Sequence, residues 1–320
     1  MKKPYQTKFS AVSLFSGCGG SDIGLVLAGI TPLWAIEINR SACEMYTKLT
    51  GYSHIVQSDI AKITTFPQAD ILIGCYPCQG YSQGGRREDT DEINFLYRHF
   101  DRALRQIRPL AFIVENVNGM RFSQNCHLLN NQLRRFRSAG YRVTWQVMDA
   151  KNFGLAQDRK RLFIVGIQSS ENKKFIFPAP THGTVETPFM TLREVIYRYR
   201  NAPKGSYNED DFHWYYLSRN RHRGWNEQAP CVVANWRHIA LHPDSPPLRR
   251  LGPDKWVFEF EGKARRFSYI ECAALQGFPD PKKFDGPWSV KDRFQAIGNA
   301  VPPPLFGAIA KELVNQLESQ

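Results

Sequence analysis

The sequence predicts an α/β fold, a doubly wound and mostly parallel sheet, together with a small irregular domain. Strand-like apolar runs alternate with helix-like segments through the first half of the chain, the alternation stops at residues 177–180, and regular patterning returns at Phe267. Such alternation is typical of a parallel sheet that helices cover on both faces. We therefore predict a main domain at 1–181, an irregular domain at 182–266, and a segment at 267–320 that returns to complete the main domain.

The predicted strands are short apolar runs bounded by turn residues, and the predicted helices lie mostly between them. In chain order, the strands are 11–15, 33–38, 54–57, 71–74, 111–115, 141–148 and 162–167. The helices are 21–28, 40–49, 95–107, 128–138, 269–275 and 305–317. A helix between two strands is the usual connection in a parallel sheet, which is why this order favours parallel pairing.

Composition narrows the class of protein. The 320 residues are 42% hydrophobic, and no apolar run approaches the length of about 18 residues that a membrane span needs. The seven cysteines are scattered and odd in number, which is typical of free thiols in a reducing compartment and not of a disulfide framework. We expect a cytoplasmic protein with no membrane partner.

The charge of the chain favours a polyanionic partner. The formal net charge is +12 and the pI is near 9.4, although a basic enzyme without such a partner is the plainer alternative. Residues 182–266 hold 14 Lys and Arg against 10 Asp and Glu, and they carry four of the seven tryptophans. This region combines basic and aromatic side chains.

Three short segments near the start indicate a cofactor that contains adenosine. A glycine-rich loop at 15–20 follows the first strand and opens a helix, so a ligand can approach the backbone closely there. Glu37 ends the second strand and Asp59 follows the third. A carboxylate after the second strand is suited to ribose hydroxyls, and Asp59 could accept a hydrogen bond from an adenine amino group. Each signal is weak alone, but they occur in the expected order.

A candidate nucleophile follows the fourth predicted strand, in Pro77-Cys78-Gln79. Open α/β sheets place their chemistry at the carboxyl ends of strands, although a free cysteine is more often a small buried hydrophobe. Cys75 and Cys78 also form a Cys-x-x-Cys pair, which leaves a thiol redox protein as an alternative. The glycines that follow at once make a helix start improbable there, which weakens that alternative.

Two further segments carry candidate acid and cationic groups. Glu115 ends the strand 111–115, where a partly desolvated carboxyl has a raised pKa and can act as an acid. Arg159 and Arg161 alternate along an extended stretch, so their side chains should share one face and could hold a base or phosphates. A capping glutamate and a solvated basic turn are the plain alternatives.

Taken together, these segments resemble a DNA (cytosine-5) methyltransferase of the bacterial restriction–modification type. The resemblance runs over nearly the whole chain and in the order of that family, at 15–20, Glu37, 58–60, 74–82, 115–117, 157–161, 271–279 and 295–302. It implies the fold of the S-adenosylmethionine-dependent methyltransferases, with 182–266 as the target-recognition domain. Its departures are mild: Cys75 and Ser58 replace common glycines, and Ile38 stands where an aromatic residue often packs on adenine.

The resemblance assigns roles to single residues. It implies a covalent adduct between Cys78 and C6 of a flipped-out cytosine, with Glu115 as the acid at N3, Arg161 at O2, and Arg159 in support. Implied contacts to S-adenosylmethionine are Phe15, Gly17, Gly19, Glu37, Ile38, Asp59, Ile60, Pro77, Leu96, Asn299 and Val301. Implied DNA contacts are Gln79, Ser82, Arg86 and Arg87 on a lid at 80–94, and Arg237 in the recognition domain.

The expected partner is double-stranded DNA, with a restriction endonuclease as a functional but not a physical partner and the enzyme acting as a monomer. The histidines at 213, 222, 238 and 242 fit no zinc spacing, so we expect no metal. A tRNA cytosine-5 methyltransferase and a catalytically inactive DNA-binding protein are the remaining alternatives. Intact Cys78, Glu115 and Arg161 argue against the second of these.

Overall fold

The chain divides into two compact units. A computed structural model describes residues 8–77, 95–122 and 126–319. The first unit comprises Met1–Asp149, Lys160–Ala179 and Pro303–Gln320, and the second comprises Ala150–Arg159 and Pro180–Pro302. Each unit is therefore built from segments that are distant in the sequence.

The strands supply the framework of both units. Those in the described part of the chain are β1 (Phe9–Leu14), β2 (Ile30–Glu37), β3 (Ile55–Gln57), β4 (Ile71–Gly74), β5 (Ala111–Val117), β6 (Tyr141–Asp149), β7 (Gln157–Asp158), β8 (Lys160–Gln168), β9 (Ala229–Pro230), β10 (Leu248–Gly252) and β11 (Lys255–Phe258). Within these residues, a seven-stranded sheet in the first unit has the order β3-β2-β1-β4-β5-β8-β6. β1 to β5 pair in parallel, whereas β8 runs antiparallel to both β5 and β6.

The helices in the described residues are α1 (Gly20–Leu27), α2 (Arg40–Thr50), α3 (Tyr97–Ile107), α4 (Cys126–Ser138), α5 (Leu192–Ile196), α6 (Tyr269–Leu275), α7 (Val290–Asn299) and α8 (Pro303–Glu318). The six predicted helices are present with small shifts of their ends, and two further helices, α5 and α7, are not predicted by the sequence. The mostly parallel α/β fold is confirmed. Strand β5 extends two residues past the predicted end at Glu115, because its ladder with β8 continues until Val117 pairs with Arg161.

The end of the chain returns to its beginning in the first unit. Helix α8 packs against α1, and Gly24 makes this approach possible. A Cβ atom at Gly24 would lie 2.9 Å from Cβ of Phe306 and 2.9 Å from the carbonyl oxygen of Pro303. A larger residue at this position would force the two helices apart.

The core of the first unit is rich in aromatic side chains. The rings of Phe100, Phe112 and Phe136 are fully buried and pack edge to face, with centroids 5.0–5.7 Å apart. They fill the space between the sheet and helices α3 and α4. The parallel pairing of β1, β2, β4 and β5 places their carboxyl ends at one edge of the sheet, where open α/β sheets carry their sites.

The second unit contains little regular structure. Its short strands pair as β7 with β9 in parallel and as a β10–β11 antiparallel hairpin. Gln157 is completely buried, and its Nε2 donates hydrogen bonds to the carbonyl oxygen of Leu275 and to Oε1 of Gln276, each at 2.7 Å. Because the second unit has no large sheet among its described residues, side-chain hydrogen bonds of this kind link its segments. The boundaries 182–266 and 267–320 are functional assignments and stay predictions.

In the part of the chain that the structure describes, no helix has both the length and the apolar character that crossing a bilayer requires.

Candidate active site

A buried ion pair lies at the carboxyl end of β5. Nε of Arg161 is 3.1 Å from Oε1 of Glu115, and the two side chains are only 15% and 10% exposed. The β5–β8 ladder brings them together, since Glu115 pairs with Phe163 and Val117 pairs with Arg161. A carboxyl and a guanidinium are thus held side by side with little access to water, where each is ready to bind a polar ligand.

The next residue, Asn116, fixes the backbone that leads to the candidate nucleophile. Its Nδ2 donates to the carbonyl oxygen of Tyr76 at 3.2 Å, while its Oδ1 accepts from the backbone N–H of Val117 at 2.8 Å. The hydroxyl of Tyr76 donates to Oε1 of Gln132 at 2.5 Å. The backbone at Tyr76 is therefore anchored beside Glu115, and Pro77 and Cys78 follow in the sequence.

Several predicted residues fall outside the described part of the chain. They are Cys78, Gln79, Ser82, Arg86 and Arg87, together with the predicted lid at 80–94. Their roles stay predictions. Cys75 is described and mostly buried, and desolvation raises the pKa of its thiol well above the usual range. A thiol in this state is a poor nucleophile, which weighs against a redox role for Cys75.

The glycine-rich loop after β1 adopts a backbone that suits a bound ligand. Phe15, Gly17 and Gly19 have φ angles of 59°, 54° and 89°, in the left-handed region that glycine adopts without strain. A Cβ atom at Gly17 would meet no heavy atom within 4 Å, so the backbone faces open space. The amide N–H of Gly17 donates to Oε2 of Glu37 at 3.0 Å.

Glu37 organises the turn after β2 in the same way. Its Oε1 accepts from the backbone N–H groups of Ile38 at 3.0 Å and Asn39 at 2.9 Å. A carboxylate has further lone pairs, so it can also accept from two ribose hydroxyls. The side chain of Ile38 is 66% exposed, which is unusual for an isoleucine and suits a flat apolar ring. These features fit an adenosine.

Asp59, Ile60 and Leu96 complete the predicted cofactor contacts of the first unit. Oδ1 of Asp59 caps a short 3₁₀ turn by accepting from the N–H of Ala61 at 2.9 Å, and Ile60 is buried. Leu96 precedes α3 and is half-buried. The described parts of the site are therefore compatible with S-adenosylmethionine on the side of its adenosine.

A buried carboxyl under the glycine-rich loop escaped the sequence analysis. Asp22 is completely buried, accepts from the hydroxyls of Tyr46 and Ser21 at 3.0 Å each, and has its pKa raised to about 6 by desolvation. An aspartate in the first turn of a helix usually indicates solvent-exposed capping. The residues around Asp22, such as Ile23 and Leu25, do not predict that its carboxyl is buried. The burial depends on α2, which packs over Asp22 and comes later in the sequence.

Arg159 serves a different purpose from Arg161. It is 1% exposed, and its guanidinium donates to the carbonyl oxygens of Val232 at 2.8 Å, Gly298 at 3.0 Å and Ala300 at 2.8 Å. It thereby holds the chain on both sides of Asn299 within the second unit. Its hydrogen bonds to the backbone fit the supporting role that the sequence analysis gave it and offer little to a phosphate.

The other two predicted residues of this region are Asn299, which ends α7, and Val301. Gly298 before them is required by close packing, because a Cβ atom there would lie 2.3 Å from the backbone of Val233 and Ala234. Their contact with a cofactor stays a prediction.

An exposed aromatic and basic surface lies in the second unit. We call it the aromatic–basic surface and define it as His213, Trp214, Tyr215, Arg237 and His238. Trp214 is 79% and Tyr215 47% exposed, and the Tyr215 and His238 rings are 5.3 Å apart. Burial and the nearby Arg221 lower the pKa of His238. In the described residues, no group of three or more His, Cys, Asp or Glu side chains is arranged to hold a metal ion.

Arg237 on this surface is held by two weak contacts, one of which places its guanidinium 5.9 Å from the centroid of the Trp236 ring. Nε of Arg237 is 3.6 Å from Oδ2 of Asp210, and both side chains are more than half exposed. The buried Arg266 donates to the carbonyl oxygen of Asp210 at 2.6 Å and so fixes the backbone there. Within the part of the chain that the structure describes, the terminal nitrogens of Arg237 have no hydrogen-bond partner and are accessible to a ligand.

Comparison with known proteins agrees with this geometry. Type II methyltransferase M.BsuRI of Bacillus subtilis is 34% identical over 96% of this chain and 80% of its own length. Type II methyltransferase M.NgoPII of Neisseria gonorrhoeae is 35% identical over 96% of both chains. The crystal structure of a putative DNA modification methyltransferase encoded within a prophage of E. coli superposes with a TM-score of 0.74, at 20% identity, over 98% of this chain and 100% of the other. The C-5 cytosine-specific DNA methylase family matches residues 9–315, and the chain therefore belongs to this family and is a DNA (cytosine-5) methyltransferase.

Proposed function

We propose that the protein transfers a methyl group from S-adenosylmethionine to C5 of a flipped-out cytosine in a specific duplex DNA sequence. The observation that carries the proposal is the buried pair of Glu115 and Arg161, 3.1 Å apart, beside the backbone that Asn116 anchors at Tyr76. A cytosine ring presents N3 and O2 on one edge, and a carboxyl next to a guanidinium is complementary to that edge. Cys78 follows two residues after Tyr76.

In the first step, the Cys78 thiolate adds to C6 of the cytosine. The C5–C6 double bond opens as the S–C6 bond forms, and its electrons make C5 nucleophilic. Glu115 gives a proton to N3 and so offsets the charge that develops on the ring. Arg161 donates to O2 and keeps the ring aligned.

Methyl transfer follows the addition of Cys78 to C6, and release of the product then reverses that addition. When bound, S-adenosylmethionine would supply the methyl group for C5 from its positively charged sulfur and would be left as neutral S-adenosylhomocysteine. Loss of the C5 proton to a base restores the double bond, expels Cys78 from C6 and returns the N3 proton to Glu115. The enzyme leaves the cycle unchanged.

The cofactor is held by groups that each recognise one part of it. Glu37 would accept hydrogen bonds from the ribose hydroxyls, Ile38 and Phe15 would pack against the adenosine, and Asp59 would accept from the adenine amino group. Gly17 would let the backbone of the loop approach the ligand, whereas Gly19, another proposed contact, also lacks room for a Cβ atom because Thr50 and Tyr46 pack against it. Ile60, Pro77, Leu96, Asn299 and Val301 complete the proposed set.

The target cytosine lies inside the duplex and must be turned out of the stack before Cys78 can reach it. We propose that the segment 80–94 closes over it, with Gln79, Ser82, Arg86 and Arg87 in contact with the DNA. Residues 182–266 read the sequence. The aromatic–basic surface supports this role, because exposed aromatic rings and an accessible guanidinium suit the base edges and phosphates of a polyanion.

The curated relatives also suggest the biological setting. Two of them carry the name Type II methyltransferase, and we propose that this enzyme likewise protects DNA from a restriction endonuclease that acts separately. The proposed substrate puts it in the cytoplasm with the DNA. We expect it to act as a monomer, since each catalytic group of the proposal comes from one chain.

Transfer of radiolabelled methyl groups tests the proposal. The purified protein is given S-adenosylmethionine with duplex DNA or with tRNA, and the Cys78→Ala variant is the control. Label in DNA, mapped to cytosines by bisulfite sequencing, supports the proposal. Label in tRNA alone would identify a tRNA methyltransferase, and sequence-specific DNA binding without any transfer would identify an inactive DNA-binding protein.

A further inference from the structure

Side chains on one face of α3 form hydrogen bonds with the loop that follows β3, at residues 60–66. His99, Arg102 and Gln106 lie three and four residues apart, so they share a side of the helix. Nη2 of Arg102 donates to the carbonyl oxygen of Ile60 at 2.8 Å, and its Nη1 donates to the carbonyl oxygen of Ile63. A single guanidinium thus ties two carbonyls on either side of one turn.

Gln106 extends this grip by one helical turn. Its Oε1 accepts from the backbone N–H of Phe66 at 3.1 Å, and its Nε2 donates to the carbonyl oxygen of Thr64 at 3.2 Å. The guanidinium of Arg102 also lies over the Phe66 ring, 5.2 Å from its centroid. The backbone from Ile60 to Phe66 is therefore held by side chains of α3 at four points.

The loop has little regular secondary structure. Strand β3 is three residues long and lies at the edge of the sheet, and the 3₁₀ turn after it covers Ile60–Lys62. The turn is closed by backbone hydrogen bonds from Lys62 to Asp59 at 3.0 Å and from Ile63 to Ile60 at 3.3 Å. Ile60 and Phe66 also pack in the core, and the N–H of Ser58 donates to the carbonyl oxygen of Glu37 at 3.1 Å. The contacts from α3 add to these and fix the backbone between the two buried side chains, next to Asp59.

We propose that Arg102 is a positioning residue for cofactor binding, holding Asp59 and Ile60 where they meet the adenosine. This inference rests on the proposed function, in which both residues contact S-adenosylmethionine. Leu96, another proposed contact, precedes the first turn of the same helix. Helix α3 therefore carries one contact residue directly and places two more through Arg102, which touches no substrate itself.

The test compares Arg102→Met with Arg105→Met. Methionine keeps an unbranched side chain that can pack over Phe66 but cannot donate hydrogen bonds. Arg105 is the matched control, since it lies on the same helix but binds Asp101 and Ser138. Affinity for S-adenosylhomocysteine is measured by calorimetry, and amide hydrogen exchange is followed in the peptide covering 59–66. Steady-state kinetics with DNA give KM for S-adenosylmethionine and kcat.

The proposal predicts a specific pattern. Arg102→Met should weaken S-adenosylhomocysteine binding about 10-fold and raise KM for S-adenosylmethionine to match, because two hydrogen bonds from a charged group are lost. Exchange in 59–66 should quicken, and kcat at saturating cofactor should stay near the parent value. Arg102→Lys should recover part of the affinity, while Arg105→Met should bind like the parent. Gln106→Ala, at an exposed position, should show a smaller loss of affinity for S-adenosylhomocysteine. It replaces Arg102→Met in the test if that variant fails to fold.

Other outcomes overturn the inference. Unchanged affinity in folded Arg102→Met, or weaker binding without faster exchange in 59–66, removes Arg102 from cofactor positioning. An equal loss in Arg105→Met indicates general destabilisation of α3. If the parent protein itself binds no S-adenosylhomocysteine and transfers no methyl group, the proposed function fails, and that result is distinct from a failure of Arg102.

Discussion

Nδ2 of Asn116 donates a hydrogen bond to the carbonyl oxygen of Tyr76 at 3.2 Å, between the ends of β5 and β4. Both residues are buried. This bond joins the two segments that the proposed chemistry needs, the one that carries Glu115 and the one that leads to Cys78. The position of the nucleophile therefore depends on a neighbouring amide as well as on its own strand.

Replacing Asn116 with Ser should slow the chemical step and spare the cofactor. The shorter side chain cannot reach Tyr76, which leaves a buried carbonyl without its partner and costs about 1–3 kcal/mol of stability. Urea denaturation measures that loss, and single-turnover methylation measures the rate. A variant as fast as the parent, with the expected loss of stability, would show that the bond serves only folding.

Cys78→Ala should abolish methyl transfer, whereas Cys75→Ala should stay active. Only the thiol at position 78 occupies the proposed place of the nucleophile, and burial raises the pKa of Cys75 well above its usual range. Transfer of labelled methyl groups to DNA and binding of S-adenosylhomocysteine are compared for both variants. Equal inactivity of the two, with cofactor binding intact, would revive a paired role for these cysteines.

Glu115→Gln should lower the chemical rate by about 10²–10⁴-fold, the usual contribution of a general acid. Glutamine keeps the shape of the side chain and can still accept from Arg161, but it cannot give a proton to N3. Single-turnover rates and a cofactor titration separate chemistry from binding. Glu44→Gln is the control, because Glu44 pairs with Arg40 on the surface at 2.9 Å and far from the proposed chemistry in the sequence.

Arg237→Ala should weaken or relax sequence recognition by about 1–3 kcal/mol, if its guanidinium binds a guanine. The accessible terminal nitrogens motivate this prediction, because the guanidinium makes only weak contacts, at 3.6 Å with Asp210 and at 5.9 Å with the Trp236 ring. Affinities for the target and for unrelated DNA are measured at several salt concentrations. Arg198→Ala is the control, because it removes the same charge from an exposed position in the same unit. It should leave the ratio of the affinities for target and unrelated DNA unchanged.

Exchange of residues 182–266 with those of a relative that recognises another site tests the whole domain assignment. The hybrid should methylate the site of the donor, because base-edge contacts specify and phosphate contacts only position. Bisulfite sequencing of DNA from cells that express the hybrid gives the answer. An active hybrid that keeps the original target would move specificity to another part of the chain.

Asp22 should make the folded protein lose stability as the pH rises. Burial raises its folded pKa from 3.8 to about 6, so the folded state binds the proton more tightly than the unfolded state. This contribution is fully present below pH 3.8, declines as the pH rises through about 6, and amounts to about 3 kcal/mol. Urea denaturation of Asp22→Asn across pH 4–7.5 should lack that decline, and parallel curves for the two proteins would contradict it.

The sequence alone determined the fold class, the place of most strands and helices, and the order of the catalytic segments. These features are local. An apolar run that ends in Gly and Pro, as at Ile71–Gly74, favours a strand by its local sequence, and the glycines at 17 and 19 indicate a loop whose backbone a ligand can approach. The predicted roles of Cys78 and the lid came from the family resemblance, and they stay predictions.

Only the tertiary structure decided which of these residues meet. The pairing of Glu115 with Arg161 follows from the register of the antiparallel β8 between β5 and β6, and strand register depends on partners far away in the sequence. Contacts between distant segments also account for three other features: the burial of Asp22, the hydrogen bonds of Arg159 to backbone carbonyls, and the hydrogen bond of Arg102 to Ile60. Each is a contact between segments that no local pattern relates, so its energy exists only once the chain has packed.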